Sequence, residues 1–219
     1  MSSKIVLIAG GTASGKTTIA KAIAKAFKNE VVTIPQDLYY RKEWDKLSLE
    51  QRLKNNFDHP DAFDWDLIEK DIRDLQQGKV VERPKYIYAE ARHSKTEFVK
   101  MQPKPVIIFE GLYALFYKDI RNMSSVKLFV DAEDDIRILR RLKRDKYIYD
   151  ERVDGKKLEP VGAIHKFSIN WINVIREMHI NHIFPTKKYA DLIIPNNNDN
   201  GINDNALILL EASIKDMLK

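Results

Sequence analysis

The octet Gly10-Gly11-Thr12-Ala13-Ser14-Gly15-Lys16-Thr17 has the spacing G-x-x-x-x-G-K-[ST]. It lies between an apolar run, Lys4 to Ala9, and a helix-patterned one, Lys16 to Phe27. Phosphate binding needs that context: glycines let backbone N–H groups turn inward around oxygen atoms, and a helix N-terminus adds its positive end. Lys16 is then placed to reach the outer phosphates of a nucleoside triphosphate, and the Thr17 hydroxyl to ligate Mg2+. Read blandly, the octet is only a turn joining strand to helix, but the signals on both flanks argue against that. Gly11, Thr12, Ala13, Ser14, Gly15, Lys16, Thr17 and Thr18 are the expected triphosphate site. The motif by itself does not separate kinases from GTPase switches, motors or nucleic-acid ATPases.

Other residues narrow the choice. No D-x-x-G and no N-K-x-D occurs, which removes the usual switch and guanine-reading elements. The buried-type run Val106 to Phe109 ends in Glu110-Gly111, one carboxylate near a metal rather than the acidic pair typical of motor ATPases. A kinase for a small molecule fits better. Such an enzyme needs a group that orients the acceptor hydroxyl and takes its proton. Asp37, in Pro35-Gln36-Asp37-Leu38-Tyr39-Tyr40-Arg41 after the strand-like VVTI, would stand at the carboxyl edge of a parallel sheet, where ligands bind. By position it is equally suited to be a helix N-cap. In Asn55 to Asp64, NNFDHPDAFD, Asp64 reads as a helix cap. Asp58, ahead of His59-Pro60, is expected in extended backbone, able to offer acceptors to a diol or simply to face solvent. On the segment Asp134 to Lys146, Arg137 with Arg141 and Arg140 with Arg144 are i,i+4 pairs; with Lys143 they read as a solvated basic face, and for Arg137 that reading is preferred.

The elements that must position these groups are visible as short β-branched runs: Lys4 to Ala9, Val31 to Ile34, Val106 to Glu110, Val126 to Asp131 and Asp191 to Pro195. Helical spacing intervenes over Lys16 to Phe27, Asp64 to Gln76, Asp134 to Lys146 and Phe167 to Ile180, and again over Ala206 to Leu218. Apolar strands alternating with helices predict a parallel sheet covered on both faces. Residues 79–101 break the rhythm and read as a hairpin-like insertion, and Asn196 to Asn205 as a surface loop. A length of 219 residues, 44% hydrophobic and 32% charged, suits one soluble domain spanning 1–219. The absence of cysteine excludes disulfides, thiolate zinc sites and cysteine nucleophiles. A net charge of +5 suits polyanionic ligands but is spread among 32 acidic residues. The apolar runs are too short to span a membrane and no secretory signal precedes them, so a cytoplasmic protein without a membrane partner is expected. Aromatic platforms are not interleaved with the basic stripe, so no nucleic-acid partner is expected.

Taken together, GGTASGKTT, QDLYYR, NFDHPDAFD, VIIFEG, FVDAEDDIRILRRLKRD and FPTKKYADLIIP resemble the uridine kinase (uridine–cytidine kinase) family, in its order and over most of residues 4–195. The resemblance implies a P-loop NTPase fold of the nucleoside monophosphate kinase-like kind, with a hairpin insertion at 79–101 and a helical lid at 142–170. It implies transfer of the γ-phosphate of ATP, or GTP, to the 5′-hydroxyl of uridine or cytidine with Mg2+, giving UMP or CMP. In that reading Lys16 and Asp37 are catalytic, and Thr17, Asp37 and Glu110 surround the metal. Tyr40, Phe57, Asp58, Tyr88, His93 and Asn170 contact the nucleoside, Asp58 through its 2′ and 3′ hydroxyls. Arg141 and Arg144 point at phosphates, and Arg141 also serves the substrate side. A homo-oligomer, often a tetramer, is implied. The chain departs from the family pattern at Glu90, where an aromatic residue is usual, and at Asn196, where a basic residue near the adenine is expected. It departs again across a lid about ten residues longer, with Arg152 as the counterpart of a lid arginine. Rival readings are a related kinase with another acceptor, as in phosphoribulokinase or pantothenate kinase, and a nucleic-acid-dependent ATPase.

Overall fold

The computed structural model describes residues 3–150, 160–198 and 204–219. Five parallel strands form the central sheet: β1 (Lys4–Gly10), β2 (Val31–Pro35), β5 (Val106–Glu110), β6 (Val126–Asp131) and β7 (Leu192–Pro195), in the order β2-β5-β1-β6-β7. The helices are α1 (Lys16–Ala26), α2 (Leu49–Arg52), α3 (Trp65–Gln76), α4 (Lys118–Met123), α5 (Asp134–Asp150), α6 (Pro160–Asn170), α7 (Arg176–Met178) and α8 (Asp204–Met217). Two wide π-type turns, Trp171–Ile175 and His179–Ile183, flank α7.

Side chains alternate across the central strands, so each strand feeds two cores. Ile5, Leu7 and Ala9 of β1 face a layer containing Ile68, Ile72 and Leu75 of α3. Val6 and Ile8 face Ile19 and Ile23 of α1 with Leu210 and Ile214 of α8. Every residue of β5 is buried, which is why these strands read as unbroken apolar runs. The expected sheet with helices on both faces is the observed one.

Register sets the working edge. Ile8 of β1 and Pro35 of β2 both stand opposite Glu110, the last residue of β5. The segments leaving these three strands therefore begin at one level, at the carboxyl ends where parallel sheets bind ligands.

The expected insertion is an antiparallel hairpin, β3 (Val81–Ile87) and β4 (Arg92–Met101), with a register shift between Pro84 and Tyr86. One buried ion pair ties it down. Asp71 of α3, fully buried, accepts from Arg83 of β3 through Nε and Nη2, each at 2.5 Å, and from the Tyr39 hydroxyl at 3.0 Å. Helix, hairpin and the turn carrying Asp37 thus share one carboxylate. Of the expected lid, residues 151–159, including Arg152, lie outside the described residues. Asp64 caps α3 as expected, accepting from Leu67 N–H at 3.0 Å.

Removing one member of a buried pair leaves the others unpaired, so Asp71→Ala is expected to cost about 3 kcal/mol of stability in denaturant titration. A loss below about 1 kcal/mol would show that the pair does not anchor the hairpin.

Candidate active site

The segment between β1 and α1 is wound as a nest for anions. Ala13 and Gly15 take left-handed backbone angles, φ 58° and 102°, and Ser14 N–H closes on Gly11 C=O at 3.1 Å. Lys16 folds over the loop, its Nζ donating to Gly11 C=O at 3.0 Å. Burial pushes the ammonium pKa down from 10.5 to about 8, although the nearby carboxylates of Glu110 and Asp37 pull the other way. Thr17 Oγ1 donates to Glu110 Oε1 at 3.0 Å. Burial raises the Glu110 carboxyl, opposed by Lys16. Thr18 is exposed on the first turn of α1.

Asp37 lies in the 3-10 turn Gln36–Tyr39 that follows β2, whose N-cap is Pro35 with no side-chain cap bond. The cap alternative is therefore excluded. Its carboxylate instead accepts from the Tyr88 hydroxyl at the hairpin tip. The turn is fixed from below by Gln36, which is buried and accepts from Tyr113 N–H at 3.0 Å. A Cβ on Gly111 would come within 2.1 Å of Gln36 Oε1, so the glycine after Glu110 is what lets the two chains cross.

Asp58 sits in a turn closed by His59 N–H on Asn56 C=O at 3.2 Å; it is His59, just before the proline, that adopts extended backbone. This corrects the expectation of an extended Asp58. Burial raises the Asp58 carboxyl, while Arg141, its Nη1 3.9 Å from Oδ1, opposes the rise. Beside it is an aromatic wall. Tyr40 rests between Phe63 and Tyr86, at 4.6 and 4.5 Å between ring centroids, and Phe57 meets Tyr40 and Trp44 edge-on at 5.5 and 5.0 Å. His93 is buried with both ring nitrogens engaged, Nδ1 with Asp45 at 2.9 Å and Nε2 with Leu38 C=O at 3.3 Å. It braces the hairpin against the segment that carries Asp37. Asn170, at the end of α6, is half-buried, and its side chain makes no hydrogen bond among the described residues.

Helix α5 lays one face on the phosphate loop. Arg141 donates to Thr12 Oγ1 at 2.9 Å and to Asp145 at 3.0 Å, and Arg144 donates to Asp145 at 2.7 Å. Arg137, expected in solvent, is only 2% exposed and points its guanidinium at Thr12 C=O. The physical reason is the i,i+4 spacing already noted: the face that delivers Arg141 delivers Arg137 one turn earlier. That spacing could have revealed it, whereas Trp44 and Asp45 lie in no motif and Gln36, inside QDLYYR, carried no role there.

The crevice thus gathers Lys16, Arg141 and Arg144 with Asp37, Asp58 and Glu110. Among the described residues no three acidic or histidine side chains converge closely enough to enclose a metal. A hard cation that keeps several water and phosphate ligands fits the donor set, because Thr17 and Glu110 offer oxygen atoms at the end of the loop.

Comparison with known proteins identifies the family. Residues 5–203 match the model of the phosphoribulokinase / uridine kinase family. The chain belongs to that family. It is 43% identical to a protein named uridine kinase from Staphylococcus epidermidis, covering 98% of this chain and 96% of that one. With the uridine kinase of Brevibacillus brevis it shares 42% identity over 98% and 93% of the two chains. Among solved structures, phosphoribulokinase from Rhodobacter spheroides superposes with a TM-score of 0.60 at 15% identity, covering 89% of this chain and 70% of that one. D-glycerate 3-kinase from Cryptococcus neoformans gives 0.54 at 13% identity, covering 81% and 80%. Both structural likenesses show the fold. As a family member the chain is a kinase, a phosphotransferase with an alcohol acceptor that draws phosphate from a nucleotide donor.

A polyphosphate beside Lys16 favours its cationic form, whereas the free protein loses that proton as pH rises through about 8. Triphosphate binding should therefore take up a proton above pH 8, and affinity should fall as pH rises. Calorimetric titration in buffers of different ionisation heat reads this directly. A Lys16→Met variant should bind weakly and lose the pH dependence, and a pH-independent wild type would refute the assignment.

Proposed function

We propose that this kinase transfers the γ-phosphate of ATP or GTP to the 5′-hydroxyl of uridine or cytidine, giving UMP or CMP. The observation that carries the reading is the placement of Asp37: at the end of β2 it faces the crevice near enough for its charge to act on Lys16, with Asp58 and an aromatic wall on its other side. A proton acceptor between a triphosphate cradle and a second carboxylate able to receive a diol is what transfer to the primary alcohol of a ribose needs.

In this mechanism the loop amides and Lys16 hold the donor triphosphate. Tyr88 holds one oxygen of the Asp37 carboxylate, and the other orients the 5′-hydroxyl and takes its proton. The acceptor oxygen forms a bond to the γ-phosphorus as the bond from that phosphorus to the β-phosphate bridging oxygen breaks, and the nucleoside diphosphate leaves. Arg141 and Arg144 are placed to stabilise charge on the transferring group. Thr17, Glu110 and Asp37 are the oxygen donors for Mg2+, which when bound neutralises phosphate charge. Asp58 receives the 2′ and 3′ hydroxyls, Tyr40 and Phe57 face the base, and His93 keeps their wall in place through Asp45 and Leu38. Asn170, at the end of α6, meets the nucleoside in this reading. Self-association fits the edge strand β7, on which Leu192 and Ile193 stay exposed.

Initial rates across uridine, cytidine, purine nucleosides, ribulose 5-phosphate and pantothenate, with one fixed triphosphate, test the acceptor. Turnover is expected with the pyrimidine nucleosides, and a preference for either non-nucleoside would overturn the reading. Asp37→Asn should lower turnover by at least about 100-fold while leaving triphosphate binding largely intact. Near-normal turnover in that variant would remove Asp37 as the base.

A further inference from the structure

Two buried side chains reach the phosphate loop from its outer side. Arg137 of α5 directs Nη1 to Thr12 C=O at 3.4 Å and Nη2 to Asp134 at 2.5 Å, its guanidinium 5.5 Å from the centre of the Trp171 ring. Asn196, which follows β7 and is 2% exposed, donates from Nδ2 to Ser14 C=O at 2.7 Å. The Asn196 backbone is itself fixed: its N–H donates to Asp131 C=O at 2.7 Å and its C=O accepts from Arg140 Nη1 at 2.9 Å.

Neither side chain is fully satisfied. Arg137 Nε and Asn196 Oδ1 are buried and have no partner among the described residues. Burying an unpaired polar atom is costly, and groups that persist despite that cost call for an explanation other than stability. The bonds these two do make end on loop carbonyls.

The consequence follows from peptide geometry. In a trans peptide the C=O and N–H point in opposite directions, and none of the described peptides is cis. Drawing the Thr12 and Ser14 carbonyls outward turns the N–H groups of Ala13 and Gly15 toward the other side of the chain, where a phosphate would lie. Ala13 and Gly15 also have positive φ, at 58° and 102°, as Gly10 does at 151°, and in a residue such as alanine that conformation persists only when its surroundings enforce it. Gly15 serves the same contact, because a Cβ there would stand 2.1 Å from Asn196 Nδ2.

We propose that Arg137 and Asn196 are positioning residues that hold the phosphate-binding loop in its anion-accepting form from outside, by fixing the carbonyls of Thr12 and Ser14. This rests on the reading that the loop binds the donor triphosphate. Amides aimed at the donor alone act on donor affinity, equally in the ground state and during transfer, so the effect belongs in the donor KM.

The test compares wild type with Asn196→Ala, the near-isosteric Asn196→Leu and Arg137→Met, using MgATP binding without nucleoside and steady-state kinetics with uridine. Asn196→Leu keeps the volume and removes the amide without adding charge, which separates the hydrogen bond from packing. Donor Kd and KM should rise about tenfold in both Asn196 variants and in Arg137→Met, with nucleoside KM within about twofold of wild type. An Asn196→Leu protein that folds and binds MgATP like wild type would overturn the proposal, as would parallel losses for both substrates. Wild type that transfers phosphate while the variants keep their donor affinity removes the clamp alone. Wild type that binds no triphosphate removes the functional reading and the clamp with it.

Discussion

Parallel pairing of β1 with β5, and of β5 with β2, decides where each chemical group can be. Because Ile8 and Pro35 both stand opposite Glu110, the phosphate loop, the Asp37 turn and the Glu110 carboxylate start from one level of one edge. No loop has to search for its partner. The buried faces on either side of the sheet hold that register, since a one-residue slip of β1 would send Leu7 and Ile8 into each other's layers.

Charge in the crevice is balanced in a way that suits a site awaiting a ligand. Burial works against three of the ions there, lowering Lys16 and raising Glu110 and Asp58, and each is offset in part by an opposite charge from another element. A phosphate chain with its cation would complete these pairings, supplying negative charge to Lys16 and Arg141 and positive charge to Glu110. Groups already in position need little reorganisation when charge shifts during transfer.

What could be read from the sequence was what depends on neighbours along the chain. Short β-branched runs gave β1, β5 and β6, the glycine spacing gave the phosphate loop, and Asp64 was recognisable as a cap because its partner, Leu67 N–H, is three residues away. Legibility failed where the partner is distant. Arg137 looked like surface charge because, besides Asp134 three residues away, its partners are Thr12, 125 positions earlier, and the ring of Trp171. Asp58 was misplaced by one residue because the proline constraint acts on His59. His93 was expected by resemblance, yet its two partners, Asp45 and Leu38, are about fifty residues back, and Asp45 lies in no motif.

Gly111 offers a last consequence. With Gln36 threaded against it, the Asp37 turn and the end of β5 are mechanically joined, and a side chain of any size at that crossing would displace both. The hairpin is fastened to the same turn, by Tyr88 on Asp37 and by Arg83 and Tyr39 sharing Asp71, so a remodelled hairpin would also shift the group beside the phosphate loop.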